Sequence, residues 1–344
     1  VYRSIVCALL LLPLIPAGRK TQPAPPAAAA AVPLRMGDAV TVSSADFGHL
    51  FQGPILCDGN GNIALLPVEL EAGHRPIPPD TVVRVSADGK TATRFRLADV
   101  EGVGNFADSE ILRTAFDVDG NLYVLAVNSV SRYVVAFSDS GKYKWKVALD
   151  VDEMLVSSFA VFKGGELLLS GSSGERARVA VRGAGGSLSD VVLPDDAALR
   201  QGLSSAERRD LLSFAHAEPA ADGLIYFSRQ ASEGFVYALM ASGEVKSRFA
   251  LAAPSGASRL AALKVSGHRL AAIYRVENPD ETVDESDTWW IVTHDLAGGE
   301  PLATYGPVRT GVLCYRSVDG FPDRFSLLGM SPAGQLQLVE AFAP

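Results

Sequence analysis

The chain has 344 residues and 36.3 kDa, with 48% hydrophobic and 20% charged residues, which is a globular composition and excludes a disordered or collagen-like chain. Lys and Arg number 31 against 39 Asp and Glu, a net charge of -8. Nucleic-acid binding needs a basic field to displace counterions, so no nucleic-acid partner is expected.

The first segment carries an export pattern. Arg3 supplies a positive start, and Ile5 to Ile15 reads IVCALLLLPLI without a charge. Eleven residues are too few to span a bilayer and fit the apolar stretch of a signal peptide. Residues 1–20 are therefore expected to be a signal peptide and 21–37 a Pro/Ala-rich linker, with residues 38–344 the folded domain. No later apolar run reaches membrane-spanning length, so the mature chain is expected to be a monomer in the periplasm or secreted, without a membrane span.

From residue 38 on, one pattern recurs: an apolar strand, a glycine turn, then a second apolar strand. It reads ILCDGNGNIALL from Ile55, TAFDVDGNLYVLA from Thr114, FAVFKGGELLLSG from Phe159, HAEPAADGLIYFS from His216 and LAALKVSGHRLAAIY from Leu260. A looser copy starts at Leu313. The turn glycines are Gly61, Gly120, Gly165, Gly223, Gly267 and Gly320. A second strand–turn–strand follows each of the first five, with glycines at Gly89, Gly141, Gly186, Gly243 and Gly299. Gly120 to Gly141 is 21 residues, Gly165 to Gly186 is 21 and Gly223 to Gly243 is 20. Each unit is thus four short strands, a to d, joined by turns expected to be two-residue hairpin loops with positive φ at glycine. Units one and five carry insertions between strands b and c.

Four-stranded units of this length mark propeller blades. The runs typified by Asp119, Gly120, Asn121, Leu122, Tyr123 and Val124 resemble the six-bladed propellers of the NHL-repeat and TolB-like kind. That resemblance implies an all-β, six-bladed β-propeller with four-stranded antiparallel blades. A two-sheet sandwich is the rival architecture, but its strands would not hold a four-strand phase through five units. After Gly320 only strands b and c remain before the chain stops. The spare strand Asp38 to Ser44 is expected to supply the missing strand d, so that the N-terminal strand closes the last blade and removes two open edges.

Candidate functional residues follow from this frame. The b–c and d–a loops share one face of a propeller and the a–b and c–d turns the other; loops on a rigid scaffold are where ligands bind. A ligand is therefore expected on the b–c loop face at the channel mouth. The unit-one insertion carries Glu69, His74 and Arg75, and the unit-five insertion, Glu277 to Asp287, carries Asp280, Asp284 and Asp287 with no base. Oxygen-rich loops of this type suit calcium, although the spacing departs from the Asp-x-Asp-x-Asp-Gly loop and a solvated acidic loop is the plainer interpretation. Calcium-dependent lactonases share the six-bladed fold, and in them a metal-binding Glu precedes Gly-Pro at the first inner strand. Here Gln52 precedes Gly53 and Pro54, and an amide is a poor ligand for a divalent cation. Glu110, Asp195 and Glu218 lie near inner-strand starts and could substitute.

No G-x-S-x-G elbow, P-loop or H-E-x-x-H motif is present. The histidines do not pair at metal-ligand spacing. Trp289 and Trp290 open strand c of unit five, where alternation sends the rings to opposite sides. Ser204-x-x-Glu207 is a capping box ahead of a short helix between units three and four. Cys57 and Cys314 sit on the inner strands of units one and six, neighbours in a closed ring, and are candidates for a disulfide. The combined expectation is an exported, non-catalytic binding or scaffolding propeller without a cofactor, whose partner is a protein or a small-molecule or carbohydrate ligand. The alternative is a metal-dependent hydrolase or lactonase with its site at the channel mouth.

Overall fold

The structure, a computed structural model, describes residues 30–42, 55–67, 69–70, 76–77, 80–97, 110–128, 131–174, 176–193, 214–229, 234–254, 258–276, 288–331 and 335–344. Every regular element among them is a strand, and the helix expected after Ser204 lies outside them.

Six four-stranded antiparallel units follow one another, each running from an inner strand a to an outer strand d. Blade one uses Leu56–Cys57, Ile63–Leu65, Thr81–Val85 and Ala92–Arg96. Blade two uses Glu110–Phe116, Leu122–Val127, Arg132–Phe137 and Tyr143–Leu149. Blade three uses Leu155–Val161, Leu167–Ser173, Arg176–Arg182 and Leu188–Asp190. Blade four uses Phe214–Pro219, Ile225–Arg229, Phe235–Leu239 and Val245–Ala250. Blade five uses Ser258–Ser266, Arg269–Val276, Thr288–Asp295 and Pro301–Val308. Blade six takes Gly311–Arg316, Arg324–Met330 and Leu336–Phe342 as strands a to c, and Arg35–Thr41 as strand d.

The N-terminal strand closes the last blade. Arg35 pairs with Phe342 and Thr41 with Gln337, antiparallel, with an irregularity between Met36 and Ala39. The strand begins three residues before the expected Asp38, at Arg35. Ahead of it, Ala31–Val32 adds to the outer strand of blade five in parallel, opposite Thr304 and Tyr305, so that blade five has five strands.

Six apolar clusters hold the ring, one between each pair of neighbouring blades. Phe95, Val82, Ile111 and Val124 join blades one and two, and Tyr123, Leu125, Val156 and Leu169 join two and three. Phe162, Val181, Phe227 and Tyr237 join three and four, and Tyr226, Val236, Leu263 and Val292 join four and five. Ile273, Ile291, Phe325 and Leu327 join five and six. Leu313 and Leu338 of blade six meet Ile63 and Val83 of blade one, which closes the circle. Strands b and c are covered on both faces and read as continuous apolar runs such as LYVLAV and FVYAL, whereas an outer strand such as ATRFR is mostly exposed. Each fully buried Leu, Val or Phe contributes roughly 1.5–3 kcal/mol of transfer free energy, so the inter-blade seams dominate stability. Trp289 packs in the seam to blade six and Trp290 in the seam to blade four, so both rings serve packing.

All eleven predicted turn glycines have positive φ, from 59° at Gly267 to 92° at Gly165. The loops are nevertheless longer than two residues at most sites. In seven turns, starting at Asp58, Asp117, Ser138, Phe162, Gly183, Ala220 and Met240, the glycine N–H bonds back three residues and the first residue's N–H bonds forward four. That is a type I turn closed by a left-handed glycine, which matches strand twist as well as the shorter loop does. Only the Gly267 turn, with Ser266 opposite Arg269, keeps the two-residue form among the six a–b turns.

Candidate functional site: the central channel

The six inner strands surround a cavity of about 420 Å³. Its lining comes from all six inner strands and from the a–b turns at Asp58–Gly59, Asp117–Val118, Ala220–Ala221 and Ser266–Gly267. It therefore includes the a–b turn end of the channel.

The inner strands have a shared irregularity. Register shifts fall at Leu112, Ser157, Ala215, Ala261 and Leu313, one in each of blades two to six. A bulge leaves one residue unpaired and re-aims its neighbours, and Arg113, Ser158, His216 and Ala262, each next to a bulge, line the cavity.

Two turn residues at the cavity wall, Asp58 and Asp117, carry carboxylates that are committed to structure. Asp58, 4% exposed, accepts the backbone N–H of Asn60 and Asn62, the Asn62 side-chain amide at 2.7 Å and the Arg84 guanidinium at 2.5 Å. Asp117, 6% exposed, accepts from Asp119 N, Asn121 N, Asn121 Nδ2 and the Tyr123 hydroxyl, all within 2.7–2.9 Å. The Arg84 guanidinium also donates to the Asp139 carbonyl, so it rivets blade one to blade two.

Across the channel, Glu218 of blade four and Lys264 of blade five form an ion pair at 2.5 Å, with side chains 20% and 10% exposed. Burial raises the Glu218 carboxyl, opposed by the Lys264 charge and hydrogen bond. His216, two residues before it, is held down to about 4 by burial, with the Lys264 and Arg259 charges adding to the effect and a bond to the Leu260 backbone opposing it. Its imidazole is neutral at pH 7. Arg113 of blade two reaches the same cavity, exposed, and its Nη1 donates to the Leu112 carbonyl at 2.8 Å.

Of the candidate ligand-binding residues read from the sequence, Glu218 alone lines this cavity among the described residues, and Cys57 of the candidate disulfide lines it too. Glu110 stands at the opposite end of its inner strand, paired with Val127. Glu69 lies in a two-strand b–c hairpin, opposite Ile77. Gln52, His74, Arg75, Asp195, Asp280, Asp284 and Asp287 lie outside the described residues. Among the described residues no three His, Cys, Asp or Glu side chains gather as a metal site. No helix among them is long and apolar enough to cross a membrane. The channel residues that sequence reasoning missed are Arg113 and Lys264. Their signal was a basic residue in the interior of an otherwise apolar inner strand, EILRTAF and SRLAALKVS.

Cys57 and Cys314 face each other between the inner strands of blades one and six. Their sulfurs are bonded at 2.04 Å and their Cα atoms are 5.4 Å apart.

No family model and no curated protein sequence matches the chain. Solved propellers resemble it in architecture. Virginiamycin B lyase from Staphylococcus aureus matches with a TM-score of 0.48 at 9% identity, over 90% of this chain and 100% of that one. The Pan2 WD40 domain from Neurospora crassa matches with 0.48 at 11% identity, over 93% and 98%. YCF48 from Cyanidioschyzon merolae matches with 0.47 at 12% identity, over 90% and 99%. The six-bladed assignment rests on the strand pairing and the six seams.

Proposed function

We propose that the protein is an exported, non-catalytic binding propeller that takes its ligand in the central channel. The observation that carries this is the state of the channel's polar groups. Asp58 and Asp117 spend their oxygens on their own turns, and Glu218 is closed on Lys264. A general base needs a free acceptor within reach of the substrate; the Asp58 and Asp117 oxygens are taken up by their turns, and Glu218 Oε1 is held by Lys264. Donors and apolar wall remain, which suits recognition. Export rests on Arg3 and the apolar run Ile5 to Ile15.

A metal-dependent hydrolase or lactonase is a second reading, and one observation favours it: the raised carboxyl of Glu218 beside the cavity, the kind of group that acts as a general acid. The two separate by experiment. A small-metabolite panel is screened by thermal shift, and γ-lactone and ester hydrolysis is followed with and without calcium. The binding reading expects stabilising ligands and no turnover. Turnover that disappears in Glu218→Gln would replace it with the hydrolase.

A further inference from the structure

We infer that the channel is a receptor for a carboxylate carried on a short apolar body, with Arg113 as the anion-binding residue. This rests on the channel being the ligand site, and it names the ligand's chemistry.

The argument is one of free donors rather than net charge. The described charges around the cavity balance: Asp58 with Arg84, Glu218 with Lys264, and Asp117 against Arg113. They are not equally available. Asp117 is buried, all its hydrogen-bond partners are neutral groups of its own turn or the next strand, and it lies four residues after Arg113 in sequence, just past the end of the inner strand. Arg113 is exposed to the channel and, among the described residues, meets no carboxylate. A guanidinium carries five N–H donors in a planar fork. One is used on the Leu112 carbonyl, which leaves the Nε and Nη2 edge open. That edge matches the two oxygens of a carboxylate in a bidentate pair. The bond to Leu112 sits at the bulge of the inner strand and anchors the guanidinium beside its own backbone.

The rest of the cavity sets the body of the ligand. Ile55, Leu56, Ala160, Ala217, Ala262 and Leu313 supply apolar wall from five further inner strands. A volume of about 420 Å³ lies at the lower end of small-molecule sites. On the far wall the closed Glu218–Lys264 pair presents a neutral whole, so a second anionic group on the ligand gains nothing there. A monocarboxylate with a short hydrocarbon chain satisfies both halves. Such a group occurs on a free acid and at the C-terminus of a peptide with a terminal apolar residue.

The test is isothermal titration of the full mature chain with hexanoate, hexanamide, hexylamine and the peptide acetyl-Gly-Gly-Leu bearing a free C-terminus. Hexanoate or the peptide is expected to bind, and the tighter of the two identifies the source of the carboxylate. Arg113→Met should weaken that binding by at least about tenfold, and Arg113→Lys by less, because one bidentate charged pair is lost or reduced to a point charge. The isosteric hexanamide should bind at least about tenfold more weakly than hexanoate. Arg113→Met should fold normally, since its side chain is exposed, and an unchanged melting temperature checks this. Equal hexanoate affinity in wild type and Arg113→Met overturns the inference. Binding of hexanamide or hexylamine without hexanoate also overturns it while leaving the channel as the ligand site. No binding by any probe overturns it and removes the channel's support as well.

Discussion

Asp58 and Asp117 perform one task in two blades. Each opens an Asp-x-x-Gly-Asn turn and gathers the N–H groups that the turn leaves over, so the same five-residue pattern folds the same way twice. Asp117→Ala would strand two backbone N–H groups, the Asn121 amide and the Tyr123 hydroxyl, and should cost about 3 kcal/mol, while the neighbouring Asp119→Ala should stay within about 0.5 kcal/mol. Urea denaturation of the two variants measures the difference. His216 makes a pH prediction. Its ordinary value of 6.5 is depressed to about 4 in the fold, so the unfolded chain binds the proton more readily. Stability is full above about pH 6.5 and falls as pH drops toward 4, by on the order of 2 kcal/mol between pH 7 and pH 5. The raised Glu218 carboxyl acts with the opposite sign, since its proton is favoured by folding. His216→Gln should therefore flatten or reverse the acid side of the stability profile between pH 7 and 5. A profile unchanged by that substitution would show that the ring is not held neutral.

Among the elements, edges are the recurring problem, because each blade ends in an outer strand with unpaired N–H and C=O groups. Charge blunts several of them: Arg94 and Arg96 in blade one, Lys144 in blade two, Lys246 and Arg248 in blade four, all exposed. Blade five has no such charge in Pro301–Val308, and it is the blade that Ala31–Val32 covers. Long basic side chains on an open edge oppose strand addition. Replacing Arg94, Arg96 and Lys144 with Val should leave the melting temperature nearly unchanged and raise self-association, read by light scattering at rising concentration; a monodisperse triple variant would show that the charges are idle. The limits of sequence reasoning lie at this scale. Turn glycines were legible because a left-handed residue leaves a fixed mark, and the spare strand because five complete units exposed a missing one. The extra residue in seven of the turns was not legible, since two- and three-residue loops ask for the same glycine. The Ala31–Val32 strand left no mark, for two residues in a Pro/Ala tract have no periodicity. Bulges at Leu112 or Ser157 exist only in the pairing with strand b. The Glu218–Lys264 pair spans 46 residues and becomes a pair only when blades four and five are set side by side.

For the whole molecule, the question is what keeps a ring shut when each blade contacts only its neighbours. Five junctions are continuous in chain and seam; the sixth, between blades six and one, has to be made from distant parts. Three devices meet there: strand Arg35–Thr41 in blade six, the cluster of Val42, Leu313, Leu338, Ile63 and Val83, and the Cys57–Cys314 bond. The strand and the bond act on different states. Strand pairing stabilises the native ring, whereas a cross-link over 257 residues chiefly restricts the unfolded chain. In the chain-entropy description a loop that long contributes roughly 3–5 kcal/mol, less any strain. Loss of the bond should therefore leave the fold and its near-ultraviolet spectrum intact while lowering stability as a whole. Two measurements check this. Thiol counting on the denatured, unreduced chain from residue 30 on should find none, and two free thiols would end the idea. Cys57→Ser with Cys314→Ser should then lose roughly 3–5 kcal/mol in urea, and dithiothreitol should destabilise wild type by a similar amount and leave the double variant unmoved. An effect of reductant on the double variant would place the sensitivity elsewhere in the molecule.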